Sequence, residues 1–237
     1  MTGEVIDRCK TGIPGFDEVC QGGLVRNSDT VIVGGPGSGK TTFLLQFLWN
    51  GVNKFNENGL YCSFEPDISD VAEDARAHGW DLFKLNEEDK IKFIKFSPET
   101  SIRELTSELT KMVSKYNIQR ICFDPISVLA LNKNDPGQIR DAIFQLSSLM
   151  KRLKVTTLFS DETMDLDIST QVSSGELTKT DIIQFLCDSV IFLYDIGISG
   201  GVDRSMKIKK MRRTNHVRQP LGMLIADNGI EIFMTQR

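Results

Sequence analysis

Eight consecutive residues, Gly34-Gly35-Pro36-Gly37-Ser38-Gly39-Lys40-Thr41, fit the pattern G-x-x-x-x-G-K-[ST]. Glycines in such a run let backbone amides converge on an anion where a Cβ would obstruct. A helix that starts directly after the run adds the positive end of its dipole. The spacing therefore predicts a phosphate cradle built from Gly35, Pro36, Gly37, Ser38, Gly39, Lys40, Thr41 and Thr42. Lys40 is expected to reach the β- and γ-phosphates of a bound nucleotide, and the Thr41 hydroxyl to ligate Mg²⁺.

Two acids stand where such a cradle needs them. Asp124 closes the apolar run Arg120-Ile121-Cys122-Phe123. A carboxylate at that kind of strand end holds Mg²⁺ directly or through water, although an Asp before Pro125 also suits a helix N-cap. Glu65 follows Leu60-Tyr61-Cys62-Ser63-Phe64, the apolar run next after the cradle's helix. In a parallel sheet the C-terminal ends of the strands open on one crevice, so Lys40, Glu65 and Asp124 are expected to converge. Glu65 can there orient or deprotonate an attacking water; the plainer reading is a solvated loop acid. Ser160, Asp161 and Glu162 end a further run and reach the same edge, where they could sense a γ-phosphate. The densest positive run, Lys207 to Arg218, contains Lys210-Met211-Arg212-Arg213-Thr214-Asn215-His216. It reads as an exposed basic strand and turn, or as cations donated to a phosphate, a neighbour's included. Residue types alone leave both open.

The elements that must position these residues can be read from periodicity. Thr30-Val31-Ile32-Val33 leads into the glycine run as a strand, and Phe43 to Trp49 leaves it as a helix apolar almost all round, hence buried. Thr11 to Val19 predicts a short helix entered through Pro14 and ended by Gly22-Gly23. Strands are predicted over 60–64, 91–96, 120–124 and 155–160. Helices are predicted over 71–78, stopped by Gly79, and from Glu99 to Tyr116 and Ile139 to Leu153, where apolar residues recur at steps of three and four. Strand and helix thus alternate from Thr30 to Ser160, the pattern of a parallel, doubly wound α/β sheet. Beyond Ser160 the pattern changes. Residues 161–180 read as a long polar loop, 189–195 as a strand, and Gly197 to Gly201 as a turn. Three or four short strands follow, expected as antiparallel hairpins. No linker or shift of composition divides residues 1–237, which read as a single domain.

The chain has 237 residues, 40% of them hydrophobic, enough for a sizeable core. No apolar run approaches the roughly 18 residues of a membrane span, and Met1-Thr2-Gly3-Glu4 does not open a signal peptide, so a cytoplasmic location is expected. The five cysteines, with no C-x-x-C, read as buried reduced thiols. A net charge of −4 argues against unspecific binding to duplex nucleic acid, which needs a basic footprint.

Taken together these motifs resemble the KaiC-like branch of the RecA/RadA ATPase superfamily, in its single-domain archaeal form. The resemblance rests on Thr11-Gly12-Ile13-Pro14-Gly15-Phe16-Asp17 ahead of Gly22-Gly23-Leu24, the phosphate loop with Thr42, Ser63-Phe64-Glu65, Gly79-Trp80-Asp81-Leu82, Phe123-Asp124, Lys210-Met211-Arg212 and His216. It implies a RecA-like core with a mostly parallel twisted sheet and a C-terminal antiparallel β extension, ATP with Mg²⁺, and a homo-oligomer, often a hexameric ring, with ATP between subunits. By that resemblance Glu65 matches the first of two catalytic glutamates. Lys210 and Arg212 match cations that reach into the neighbour's ATP, and His216 a residue near the same phosphates.

The sequence departs from the family at two of these places. Pro66 occupies the position of the second glutamate, which implies slow hydrolysis, or reliance on Glu65 with Asp67 nearby. Arg213 replaces the glycine usual after K-M-R. Clock members phosphorylate a Ser-Thr pair; the matching place here, Gln184-Phe185, has no hydroxyl. Three functions follow. The first is a Mg-dependent ATPase acting as a regulatory module with an unidentified protein partner. The second is a nucleotide-gated interaction protein with negligible hydrolysis. The least favoured is a RadA-like DNA-dependent ATPase, because residues 161–181 hold a single basic residue, Lys179.

Overall fold

Burial decides the centre of the sheet. Every residue of β3 (Asp29–Gly34) is buried, as befits a parallel strand covered on both faces. The computed structural model describes residues 5–130, 135–162, 179–195 and 204–234. Within them, β3 lies between two parallel neighbours, β7 (Thr156–Glu162) and β8 (Ser189–Asp195). Outward from β7 come β6 (Ile118–Asp124), β4 (Asn58–Ser63) and β5 (Ile91–Lys95), all parallel. Outward from β8 come β9 (Arg204–Met211), β10 (Leu221–Ala226) and β11 (Gly229–Phe233), each antiparallel to its neighbour. The nine-stranded sheet is thus mostly parallel with an antiparallel C-terminal extension, as the alternating pattern predicts.

Helices cover both faces. On one side α2 (Lys40–Phe55) buries Phe43, Leu44, Leu45, Phe47 and Leu48 against the sheet, joined by α1 (Phe16–Val19), α3 (Ile68–Ala77) and α4 (Leu82–Glu87). On the other, α5 (Ile102–Tyr116), α6 (Pro136–Leu153) and α7 (Lys179–Leu186) bury Leu105, Leu109, Ile139, Ile143, Ile182 and Ile183. Helix α5 starts with a capping box, Ser101 and Glu104 bonding each other's backbone amides.

Four features differ from the periodic reading. Helix α7 begins at Lys179, inside the stretch expected to be loop to Thr180; the polar Lys179-Thr180-Asp181 start hides its apolar Ile182-Ile183 face. Helix α4 is six residues long, too short for a periodic signal, and is fixed by the Asp81 carboxylate accepting from the Lys84 amide at 3.1 Å. Residues Ile126–Ala130 form a 3₁₀ turn after β6. Strands β1 (Arg8–Cys9) and β2 (Leu24–Val25) make a separate antiparallel ribbon. The turn expected over 197–201 and most of the loop expected over 161–180 lie outside the described residues. All five cysteines are free and buried, and no helix among the described residues is long and apolar enough to cross a membrane.

Candidate nucleotide site

The glycine run leaves β3 at its C-terminal end and enters α2 at Lys40. At two of its positions only glycine fits. A Cβ on Gly34 would lie 2.4 Å from Ser38 Oγ and 2.8 Å from the Leu193 carbonyl oxygen. Gly39 caps α2 at φ 94°, a left-handed conformation, with Ile225 Cδ1 2.8 Å from where its Cβ would be. Among the described residues the Ser38 hydroxyl is buried without a hydrogen-bond partner. Lys40 is almost fully buried, and its ammonium donates to the Gly34 and Gly35 carbonyls, each at 2.9 Å. The Glu162 carboxylate lies 3.7 Å away.

Asp124 at the end of β6 faces Thr41 across the cleft. Its Oδ2 accepts from Thr41 Oγ1 at 2.8 Å and from the Tyr61 hydroxyl at 2.5 Å, and its Oδ1 accepts a short bond from Ser160. Among the described residues the Asp124 carboxylate meets these three hydroxyls rather than a backbone amide of the following turn. Burial, then the neighbouring Asp124 carboxylate, pushes the Tyr61 phenol well above its usual range, so Tyr61 stays protonated and donates. Ser160 is fully buried against Asp124; it meets the acid rather than facing the cleft as a phosphate sensor. Pro36, Gly37, Gly39, Lys40, Thr41, Thr42, Glu65, Asp124 and Glu162 line a cleft of about 440 Å³, with Pro66, Pro125 and Ile225 completing its wall. Sequence reasoning missed Tyr61; nothing in its spacing separates its hydroxyl from the other aromatics of β4. Glu65 is exposed at the rim. Asp67, the nearby acid, is engaged in an ion pair with Lys95.

Among the described residues there is no group of three or more His, Cys, Asp or Glu that could hold a metal alone. Thr41 and Asp124 offer the hard oxygen pair that suits Mg²⁺ when phosphates and waters supply its remaining ligands. The unpartnered Ser38 hydroxyl and the glycine cradle fit a phosphate chain. The residues present therefore suit Mg²⁺ with a nucleotide.

Lys210, Arg212 and His216 are not brought to this cleft. Met211 pairs with Ser189, which pairs with Thr30, whereas Gly34 pairs with Leu193. The end of β9 thus lies at the opposite edge of the sheet, roughly 13 Å along β3 from the start of the loop at about 3.3 Å per residue. There the Lys210 ammonium donates to the Cys187 carbonyl at 2.5 Å and to those of Gln184 and Phe185 at 3.4 Å, closing the C-terminus of α7. Burial, and next the Arg212 charge, hold the Lys210 pKa below its ordinary value. Arg212 meets Asp188 at 3.4 Å, and the His216 Nδ1 lies 2.9 Å from the Val217 carbonyl oxygen.

A parallel strand, a glycine loop and a helix opposite a strand-end acid define a P-loop NTPase, here on a RecA-like α/β sheet. Comparison with known proteins narrows the class. Residues 9–237 match the family described as "ATPase: KaiC". The circadian clock oscillator protein KaiC of Synechococcus elongatus is 29% identical over 97% of this chain, and that of Parasynechococcus marenigrum 30% identical over 96%. The chain spans 45% of the length of each. The crystal structure of a KaiC-like protein from the hyperthermophilic archaeon Pyrococcus horikoshii superposes with a TM-score of 0.83 at 29% identity, covering 97% of this chain and all of that one. The chain belongs to the KaiC ATPase family.

Proposed function

We propose that the protein is a Mg-dependent ATPase of regulatory type, slow in turnover, that works as a homo-oligomer, a hexameric ring. Each site is completed by Lys210 and Arg212 of a neighbouring subunit, with His216 near the same phosphates. Residues 1–237 act as one KaiC-like domain, placed in the cytoplasm, whose output passes to a protein partner. The observation that carries the reading is the meeting of Lys40, Thr41, Glu65 and Asp124 in one cleft.

The chemistry follows from positions. Thr41 and Asp124 would hold Mg²⁺, which when bound would neutralise phosphate charge. Backbone amides of residues 35 to 42 cradle those phosphates. Lys40 exchanges the Gly34 and Gly35 carbonyls for phosphate oxygens. Glu65 orients the attacking water and takes its proton as the water oxygen bonds to the γ-phosphorus and the bond from phosphorus to the bridging oxygen breaks, releasing ADP. The neighbour's Lys210 and Arg212 stabilise the charge that spreads over the transferring group. Their place at the far edge of their own sheet supports a role between subunits.

Turnover is measured as phosphate release from Mg·ATP. Lys40→Ala is expected to abolish it, and Glu65→Gln to lower it by a factor of about 10² to 10⁴. Intact turnover in Glu65→Gln would refute the assigned base. Pro66, beside Glu65 in the cleft, favours a second reading, a nucleotide-gated binding protein. Tight ATP binding and assembly with negligible phosphate release would establish that one instead.

A further inference from the structure

At the edge where β3, β8 and β9 meet, five charged groups gather apart from the nucleotide cleft. Asp188 precedes β8 and is largely buried. Its Oδ2 meets Lys151 Nζ of α6 at 2.9 Å, and its Oδ1 meets Arg212 Nη1 at 3.4 Å. Its backbone is fixed on both sides: its amide donates to the Asp29 carbonyl at 2.9 Å, and its carbonyl accepts from the Arg212 amide at 3.1 Å. Asp29, fully buried at the start of β3, accepts a short bond from Ser147 and lies 3.6 Å from Lys151. Lys210 completes the group from β9. Burial disfavours the ionised Asp188, yet Lys151 foremost, the Asp29 amide and Arg212 outweigh it and hold its pKa below the ordinary value.

The Arg212 contact is one-sided. Among the described residues only Nη1 is engaged, and half of the side chain is exposed. A guanidinium carries five N–H donors in a rigid fork, so the remaining donors stay available while one corner is anchored.

On the proposed reading that Arg212 serves a neighbour's nucleotide, we infer that Asp188 is the positioning residue of that finger: it holds one corner of the Arg212 guanidinium and aims the free donors out of the sheet edge. Lys151 and the Asp29 backbone hold Asp188 in turn. The same strand that begins at Asp29 ends in the phosphate loop at Gly34, so finger mount and cradle share one rigid β3.

The test is steady-state phosphate release by the full chain. Asp188→Asn is expected to lower kcat about tenfold with KM for ATP within about twofold, as loss of one charge-assisted contact predicts. Mixing Asp188→Asn with Lys40→Ala subunits separates a positioning role from a structural one. The Asp188→Asn cradle is intact, and the Lys40→Ala subunit supplies an intact finger. Turnover per Asp188→Asn subunit is therefore expected to rise on mixing. Asp188→Glu keeps all the charges but moves the carboxylate by one methylene, and serves the same test if Asp188→Asn does not fold. Its kcat is expected to fall several-fold and to recover on mixing. If Arg212→Ala is inactive while both Asp188 variants keep full kcat, the inference is overturned and the reading stands. A loss that mixing does not restore makes Asp188 merely structural and overturns it too. If Arg212→Ala itself keeps full turnover, the intersubunit reading fails, and the inference with it.

Discussion

Asp124 accepts from three hydroxyls, those of Thr41, Tyr61 and Ser160. Thr41 touches the cleft, whereas Tyr61 and Ser160 sit behind the acid and fix its orientation. Removing such outer partners weakens metal binding more than it disturbs the fold. Tyr61→Phe is therefore expected to raise the Mg²⁺ concentration for half-maximal phosphate release about tenfold; an unchanged Mg²⁺ titration would show the bond to be idle. The phosphate loop was legible in the sequence because its chemistry demands fixed residues at fixed spacing. Asp124 was legible because it ends an apolar strand. Tyr61 was not, since only the fold turns its hydroxyl to the acid. Arg213 joins the two levels. It adopts φ 57°, a left-handed conformation costing an L-residue roughly 1–2 kcal/mol. Arg213→Gly is expected to be neutral or stabilising by up to about 1 kcal/mol, and Arg213→Val destabilising by about the same amount, read from urea midpoints.

Helix α2 carries its only glycine, Gly51, in its interior. Propensity alone predicts a gain of about 1 kcal/mol for Gly51→Ala. The structure predicts a loss. An added Cβ would lie 2.6 Å from Arg120 Cδ, and Arg120 cannot yield. It is fully buried, its guanidinium is 2.5–2.6 Å from Glu57, it donates to the Phe47 and Lys10 carbonyls, and it lies against the rings of Phe47 and Phe55. Gly51→Ala is expected to lower stability by roughly 1–3 kcal/mol; a gain would contradict this packing. In sequence Arg120 merely opens an apolar run, so its buried network was not legible, nor were the two-residue strands β1 and β2. Strand β3 carries its own charge problem. Burial foremost, with Asp188 adding to it, raises the Asp29 pKa from 3.8 to about 6, against the pull of Ser147 and Lys151. The folded state then binds a proton more readily than the unfolded chain, so stability falls as pH rises from about 4 to about 6. Arg212 faces the same group through Asp188. Asp29→Asn removes this titration. Its stability relative to the parent is expected to rise across that window by on the order of 3 kcal/mol. A flat difference between pH 4 and pH 7 would remove the assigned titration.

Across the whole molecule the sheet separates two chemistries. The cradle lies at the C-terminal ends of the parallel strands, and the basic end of β9 lies at their N-terminal edge. The alternation of strand and helix in the sequence was enough to place the cradle at a crevice. It could not place the basic cluster, because an antiparallel strand reverses which end meets the cleft, and strand order is set by packing rather than by local pattern. A subunit whose cations point away from its own nucleotide is suited to a head-to-tail ring, in which each cleft meets the next subunit's cations. The most direct test mixes equal amounts of Lys40→Ala and Arg212→Ala subunits in Mg·ATP, following phosphate release alongside mass by light scattering. Each variant alone is expected to be inactive. The mixed rings are expected to recover about a quarter of parental turnover, the fraction of sites joining an intact cradle to an intact finger. Mixed rings of full size with no recovery would contradict a site shared between subunits.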